Sequence, residues 1–150
     1  MSSYSISLNW QRETPDFDYK TFNRGHVWQL SGDQTVRGSA APDYSGDADM
    51  SNPEEALLAA LSSCHMLTFL AIAALKKLVV ERYEDEPVAE LGKNERGKMM
   101  VSQLTLRPKV TFSGTVAPSP ETVMDLHRKA KENCFIGNSL LTPVALEPRF

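Results

Sequence analysis

The sequence predicts an α+β fold in a single domain that spans residues 1–150. Three observations predict it: a long apolar helical segment at 53–78, an amphipathic helical segment that starts at Ser119, and short strand-like segments grouped around them. The length of 150 residues, with 41% hydrophobic and 23% charged residues, is typical of one globular domain with its own core.

Short strands are predicted in the first third of the chain. Residues 4–11, 26–31 and 34–40 have strand-like composition, and the Ser-Gly-Asp sequence at 31–33 is typical of a tight hairpin turn. Residues 41–51 are rich in Pro, Gly, Asp and Ser, which indicates a loop. A small sheet followed by a loop is therefore expected before the long helix.

The start of the long helix is strongly marked. Asn52 is a good capping residue, Pro53 suits the first helical position, and Glu55 lies three residues after Asn52 as in a capping box. Two lysines follow the apolar run and suit the negative end of the helix dipole. These signals predict a helix over residues 53–78.

A membrane span is the alternative interpretation of this helix. Residues 56–75 contain no formally charged side chain and approach the length that crosses a bilayer. However, the run carries serine, cysteine, histidine and threonine at its middle, and alanines dilute its hydrophobicity. A helix buried inside protein is favoured instead. Because one small sheet covers only one face of such a helix, an obligate homodimer is expected.

The strands of the second half are less regular. Residues 79–83 and 88–91 are predicted strands, and the Gly-rich, charged stretch 92–97 is expected to be a mobile connection. Residues 104–112 alternate with a period of two and predict one strand, although Pro108 indicates an edge or a bulge.

The last predicted elements are a helix and a short strand. The helix starts with Ser119, Pro120 and Glu121, which again combine cap, proline and acid. Apolar residues and Cys134 recur along it at spacings of three and four, so they share one face. Residues 142–147 could form a last strand.

Charge and targeting signals exclude several classes of protein. The net charge of −3 and the lack of a basic cluster give no reason to expect nucleic-acid binding. The N-terminal residues do not resemble a signal peptide, so a cytoplasmic protein with no membrane partner is expected. In a reducing compartment, two cysteines are more often buried or catalytic than bridged.

The two cysteines allow three interpretations. Cys64 and Cys134 both lie on helical apolar stripes, so both could be small core residues. A zinc site could combine them with His65 and His127, but the adjacent Cys-His pair and the lack of a C-x-x-C motif argue against it. A reactive Cys64 would need a cationic neighbour, because it lies three turns into its helix, beyond the reach of the dipole.

Two segments resemble a known family. The sequence NPEEALLAALSSC at 52–64 resembles the N-P-E signature of the OsmC/Ohr family, the osmotically induced and organic hydroperoxide resistance proteins. The sequence AKENC at 130–134 resembles the second cysteine segment of this family. The resemblance implies an OsmC-like α+β fold, with antiparallel sheets around a long buried central helix in an intertwined homodimer. It also implies thiol-dependent peroxidase activity.

The resemblance also implies residue roles. Cys64 would be the peroxidatic cysteine and Cys134 the resolving cysteine. Glu54 would hold an arginine that favours the thiolate of Cys64. Arg24 fits that role best by position, and Arg37 is the fallback. The structural alternative for Arg24 is a solvated turn residue.

The implied chemistry proceeds through a sulfenic acid and then a disulfide, and needs no metal, flavin or haem cofactor. A dithiol would reduce the disulfide, with a dihydrolipoyl group as one candidate, and an organic hydroperoxide would be the substrate. The sequence FIGNS at 135–139 departs from the Pro-x-Ser segment of many family peroxidases, which indicates a separate subgroup. The rival hypothesis is a non-enzymatic stress or ligand-binding protein on the same scaffold.

Overall fold

The chain is α+β, as predicted, with antiparallel sheets and one long helix. A computed structural model describes residues 1–115 and 117–150. The described residues divide into two compact units, unit 1 at residues 1–56 and unit 2 at residues 57–150. The single domain expected for the whole chain stays a prediction.

Unit 1 is built on a three-stranded antiparallel sheet. Its strands are β1 (Ser7–Asn9), β2 (His26–Gln29) and β3 (Thr35–Gly38), in that order across the sheet. The predicted hairpin joins β2 to β3, and both Gly32 and Asp33 have positive φ angles, of 70° and 59°. This pair of left-handed residues gives the turn a twist that matches the strands it connects.

The long helix α1 (Pro53–Leu75) begins at the predicted capping box. Asn52 Oδ1 accepts a hydrogen bond from Glu55 N at 2.9 Å, and Glu55 Oε2 accepts one from Asn52 N at 3.1 Å. The helix ends three residues before the predicted boundary, because Lys77 adopts a left-handed φ of 59°. Leu78 N then donates to Ala73 O at 3.0 Å, which closes the helix in a Schellman motif.

Only one stripe of α1 is buried in the chain. Leu61, His65, Phe69 and Ala73 are buried, at a constant spacing of four residues, whereas Leu67 is 60% exposed. By length and composition alone, α1 is long and apolar enough to cross a membrane. Its most apolar segment of 18 residues has a mean hydropathy of 1.9, and 22% of that segment is buried inside the protein. The buried stripe packs on α2 and β6 of unit 2, and those elements cover a single face.

Unit 2 contains two sheets. The first pairs β4 (Val80–Glu84) with β7 (Lys109–Phe112). The second has β6 (Met99–Leu106) at its centre, with β5 (Val88–Lys93) antiparallel on one side and β8 (Val144–Leu146) parallel on the other. Buried residues of β6 therefore face the helices from the middle of a sheet.

The prediction of one strand over residues 104–112 is wrong. The chain leaves β6 at Arg107 and Pro108 and enters β7 in the other sheet. Proline has no N–H to continue the ladder, and the shared alternation came from two separate strands. Of the stretch 92–97, expected to be a mobile connection, Gly92 and Lys93 extend β5 and the other residues form a turn. In this turn Asn94 Oδ1 accepts hydrogen bonds from Arg96 N and Lys98 N.

The second helix, α2 (Pro120–Asn133), starts as predicted. Ser119 Oγ accepts a hydrogen bond from Thr122 N at 3.2 Å. Its buried face carries Val123, Leu126, His127 and Ala130. Cys134 follows directly and precedes the short helix α3 (Phe135–Asn138), so the end of α2 places this cysteine in the core.

Candidate active site

The two cysteines meet in unit 2. Cys64 on α1 is half-buried and Cys134 after α2 is 1% exposed, and both are free thiols. Cys64 packs against the buried cluster that contains Cys134, and the two side chains are close enough for Cys64 to affect the pKa of Cys134. Two residues seventy positions apart in the sequence are thus neighbours in the fold.

Core packing fixes the position of Cys134. It belongs to a buried cluster with Leu61, Leu104 and Leu106, and Cys64 borders the same cluster. Gly137 N donates a hydrogen bond to Cys134 Sγ at 3.3 Å. This backbone donor orients the sulfur at the start of α3.

The surroundings of Cys134 favour its neutral form. Burial first, and then the hydrogen bond with Cys64, raise the pKa of Cys134 to about 11, while the Gly137 N–H acts in the opposite direction. Cys134 is therefore a protonated thiol at neutral pH. A thiol in this state is a poor first nucleophile, because the thiolate is the reactive form.

Cys64 lines an apolar groove, which we name the Cys64 groove. Its volume is about 670 Å³, and its walls include Ala60, Leu67, Ala71 and Phe135. Leu67 and Phe135 are 60% and 82% exposed, so this groove is open along α1 in the single chain.

Cys134 lines a different space, which we name the Cys134 cavity. Its volume is about 260 Å³. Besides apolar side chains, it is lined by the polar residues His65, Lys131, Asn138 and Thr142. The two sulfurs are therefore approached through spaces of different polarity.

Arg24 lies in unit 1 with its guanidinium held by backbone carbonyls. Nη1 donates to Phe22 O at 3.0 Å and Nη2 donates to Tyr19 O at 2.7 Å. The guanidinium carbon lies 4.0 Å from the centroid of the Phe22 ring. Arg24 also lines an apolar cavity of about 430 Å³ with the aromatic residues Trp10 and Phe17. It is therefore a fixed, half-buried cation rather than a solvated turn residue.

The other two predicted site residues have different surroundings. Glu54 is half-buried in the first turn of α1, and no ion pair joins it to Arg24 among residues 1–115 and 117–150. The predicted Arg24–Glu54 pair is thus not formed in the described structure, because Arg24 is held by carbonyls and an aromatic ring instead. Arg37 is exposed on β3 and lines a second cavity of unit 1 beside His26. The roles of all three stay predictions.

The comparisons with known proteins agree with the motifs. Residues 46–149, more than half of the chain, match the family described as OsmC-like protein. The chain belongs to the OsmC family. An OsmC-like protein of unknown function from Vibrio cholerae is 42% identical, with a TM-score of 0.94 over 99% of this chain and 100% of that one.

More distant relatives of this OsmC-family protein show the same fold. An organic hydroperoxide resistance protein from Elizabethkingia anophelis is 15% identical, with a TM-score of 0.70 over 98% of this chain and 95% of that one. An organic hydroperoxide resistance protein from Bacillus subtilis is 16% identical, with a TM-score of 0.73 over 99% of this chain and 98% of that one. No match was found among proteins with curated functions.

Sequence reasoning missed a buried histidine pair in this OsmC-family protein. His65 Nε2 and His127 Nδ1 are 3.0 Å apart, and burial lowers the pKa of each residue to about 4. His127 Nε2 and the Tyr83 hydroxyl are buried without a hydrogen-bond partner among the described residues. The available signal was the spacing that places His65 between Leu61 and Phe69 on one stripe.

The histidine pair is not part of a metal cluster. In the part of the chain that the structure describes, no group of three or more His, Cys, Asp or Glu side chains could hold a metal ion. The four residues considered for zinc instead form two pairs, one of thiols and one of imidazoles.

Proposed function

We propose that this OsmC-family protein is a thiol-dependent peroxidase that reduces organic hydroperoxides with Cys64 and Cys134. One observation carries the proposal: the two free thiols meet at one buried cluster, where Cys134 is buried and Cys64 is half-buried. The organic hydroperoxide resistance proteins among its distant relatives provide further support at the level of the family.

Cys64 carries out the first step in this proposal. Its thiolate attacks the terminal oxygen of the hydroperoxide, the O–O bond breaks, and the alkoxide leaves as an alcohol after taking a proton. Cys64 is then a sulfenic acid. The assignment to Cys64 rather than Cys134 is supported by burial, which keeps Cys134 protonated at neutral pH.

Cys134 carries out the second step. Its sulfur attacks the sulfenic sulfur of Cys64, the S–O bond breaks, and hydroxide leaves with the thiol proton as water. A disulfide between the two residues results. A dithiol then reduces this disulfide by two exchanges, and a dihydrolipoyl compound is one candidate. No metal, flavin or haem takes part.

Arg24 is assigned the role of favouring the Cys64 thiolate and orienting the peroxide. Its guanidinium is held by two carbonyls and one aromatic ring, and no carboxylate pairs with it among the described residues. Its full positive charge is therefore available to an anion. Glu54 keeps its supporting role towards this arginine as part of the proposal, although no ion pair joins the two among the described residues, and Arg37 is the fallback cation.

The preferred substrate follows from the walls of the Cys64 groove. Ala60, Leu67, Ala71 and Phe135 are apolar side chains that suit a hydrocarbon tail better than water or hydrogen peroxide. Organic hydroperoxides are therefore the proposed substrate class.

The proposed assembly is a homodimer that acts in the cytoplasm as a single OsmC-like domain per chain. The uncovered face of α1, with Leu67 60% exposed, is an apolar surface that a second copy would bury. Leu67→Glu is expected to convert the dimer to monomers, because a buried carboxylate without a partner is strongly unfavourable. Light scattering at micromolar concentration tests this, with Leu141→Glu on an exposed loop as the matched control. A monomeric wild type would exclude the dimer.

Thiol titration tests the activity. The reduced protein is treated with one equivalent of cumene hydroperoxide, and free thiols are counted before and after. We expect two thiols per chain to be lost, because one peroxide oxidises one pair. Retention of both thiols would exclude the peroxidase.

A ligand-binding protein is the second candidate function. The aromatic cavity of unit 1 favours it, because Trp10, Phe17 and Phe22 surround about 430 Å³ beside the Arg24 cation. Such a cavity suits an apolar ligand with an anionic end. If the titration leaves both thiols intact while decanoate quenches tryptophan fluorescence, this second function is supported.

A further inference from the structure

The Cys134 cavity has a polar mouth and a buried floor. Lys131, Asn138 and Pro143 line it and are exposed, whereas Leu61, His65 and Cys134 line it and are at most 1% exposed. The cavity therefore extends from exposed residues to the buried Cys134. Cys64 does not line it, just as Cys134 does not line the Cys64 groove.

The proposed disulfide could be attacked at either sulfur. Attack at Cys64 would expel Cys134, and attack at Cys134 would expel Cys64. Burial raises the pKa of Cys134 to about 11, and a thiol of high pKa is a poor leaving group. Leaving-group chemistry therefore favours attack at Cys134, the sulfur that the polar cavity reaches.

We propose that the Cys134 cavity is the reductant site, where a small dithiol attacks Cys134 Sγ while Lys131 binds an anionic group of that dithiol. This inference rests on the proposed two-cysteine peroxidase. It gives the two substrates separate entrances: the organic hydroperoxide enters the apolar Cys64 groove, and the dithiol enters the polar Cys134 cavity.

The exchange balances in two steps. A thiolate of the reductant forms a bond to Cys134 Sγ, the bond between the two cysteines breaks, and Cys64 leaves as a thiolate. The second thiol of the reductant then attacks its own bonded sulfur and expels Cys134, which takes up the proton. The reductant leaves as a cyclic disulfide, oxidised by two electrons, and both cysteines are again thiols.

Two features assist the second step. Ring closure within a dithiol is intramolecular, which gives it a high effective concentration. In addition, Gly137 N donates a hydrogen bond to Cys134 Sγ at 3.3 Å and stabilises negative charge on the leaving sulfur. A monothiol lacks the first advantage, so it should stop at a mixed disulfide.

Size and charge define the class of reductant. A cavity of about 260 Å³ accepts a short alkyl dithiol but not a folded redox domain. Lys131 lines the cavity and is exposed, so it provides a cation for an anionic group bound there. The site therefore suits a small dithiol with a carboxylate.

Trapping the mixed disulfide tests the point of attack. The full chain is oxidised with diamide, treated briefly with 2-mercaptoethanol, quenched with N-ethylmaleimide and analysed by peptide mass spectrometry. We expect mercaptoethanol on Cys134 and maleimide on Cys64. The reverse distribution overturns the proposal, and so does an equal mixture.

Gly137→Ala tests access to the sulfur. A Cβ at this position would lie 3.5 Å from Cys134 Sγ and 3.7 Å from Leu61 Cδ1, which are ordinary contacts, so the variant should fold. Because the added methyl group narrows the approach, reduction of the diamide-oxidised protein by dihydrolipoate should slow by about tenfold. An unchanged rate in a folded variant, checked by circular dichroism, counts against the cavity.

Lys131→Gln tests recognition of the anionic group. We expect the KM for dihydrolipoate to rise roughly two- to fivefold, the range for a solvent-accessible ion pair, with a smaller change for the neutral dihydrolipoamide. Lys129→Gln is the matched control, because Lys129 Nζ pairs with Asp125 at 2.9 Å and does not line the cavity. Equal effects on both reductants, or equal effects of both variants, would remove Lys131 from the site.

The two proposals can fail separately. Diamide forms the disulfide without peroxide, so all three measurements remain possible even if cumene hydroperoxide oxidises nothing. Peroxide oxidation without attack at Cys134 would retain the peroxidase and reject the reductant site. Attack at Cys134 without peroxide oxidation would indicate a thiol-exchange protein and reject the peroxidase.

Discussion

Helices α1 and α2 begin alike, with a capping residue, a proline and a glutamate, yet they are covered differently. Four of the fourteen residues of α2 are buried, and they form an apolar face opposite a charged face. On α1 the buried residues are four of twenty-three, although the helix is apolar on every side. The buried stripes pack together, whereas Ala60, Leu67 and Ala71 of α1 stay exposed in the part of the chain that the structure describes.

The difference in cover separates the two cysteines. Cys134, directly after α2, is buried against Leu61 of α1 and two leucines of β6, whereas Cys64 lies beside the exposed residues of α1 that line the Cys64 groove. Two thiols of identical chemistry are thus given different access to solvent. An apolar helix that is partly exposed can therefore present a reactive thiol and also form the contact between two subunits.

Removing each cysteine in turn gives the largest expected effects. Cys64→Ser should abolish peroxide consumption, whereas Cys134→Ser should allow one turnover and then overoxidation, because the sulfenic acid lacks an internal partner. Mass spectrometry after excess peroxide should detect added oxygens on Cys64 in Cys134→Ser. If Cys64→Ser retains turnover and Cys134 gains the oxygens instead, the roles are reversed.

Replacing Arg24 tests the difference between the two cysteines, because the proposed role of this cation is to favour the thiolate of the accessible Cys64. At an effective dielectric constant of about 20, a unit charge at about 4 Å contributes on the order of 4 kcal/mol. Half of that interaction energy corresponds to more than a tenfold change in the equilibrium between thiolate and thiol. Arg24→Ala should therefore slow alkylation of Cys64 by about tenfold or more, and Glu54→Gln should slow it less.

The pH dependence of alkylation by iodoacetamide, followed at Cys64 by mass spectrometry, measures this effect. Arg37→Ala is the matched control and should behave as the wild type. An unchanged profile in Arg24→Ala, together with slower alkylation in Arg37→Ala, would transfer the role to Arg37.

The histidine pair tests how firmly the two helices are joined. His65 and His127 each have a pKa of about 4 in the folded chain, below the usual value of 6.5, chiefly because of burial. The unfolded chain therefore binds more protons between these values, and stability should fall as pH decreases from about 6.5 to about 4. A shift of about 2.5 units in pKa is worth roughly 3.5 kcal/mol, since each unit is worth about 1.4 kcal/mol, so a loss of several kcal/mol is expected when both histidines titrate.

Urea unfolding at pH 7 and pH 4.5 measures this loss. The variant His127→Phe keeps an aromatic ring but removes one titrating group, so its stability should depend less on pH. A wild type with equal stability at both pH values would show that the pair does not link the helices in this way.

The caps give the smallest expected effects. Asn52→Ala and Ser119→Ala should each lower the free energy of unfolding by about 1 kcal/mol, with the larger loss at Asn52, where the bond is reciprocal. Urea unfolding of the two variants checks this order. A larger loss at Ser119 would indicate that tertiary contacts, not the capping box, hold the start of α1.

Local signals in the sequence were sufficient for most elements of the fold. The capping boxes, the hairpin turn at 31–33 and the apolar face of α2 depend on residues within a few positions of one another. For the same reason, the alternation at 104–112 was misleading. Whether one strand or two forms depends on which sheet each segment joins, and local periodicity does not carry that information.

By itself, the sequence determined the family, the helix starts and the two cysteines on which any chemistry would depend. Only the tertiary structure decided that these thiols meet, that burial raises the pKa of Cys134, and that each cysteine borders its own cavity. It also decided that His65 and His127 form a buried pair, and that Arg24 is held by carbonyls instead of by Glu54. The physical reason is that burial, charge and access depend on neighbours brought together by packing, often from distant positions in the chain.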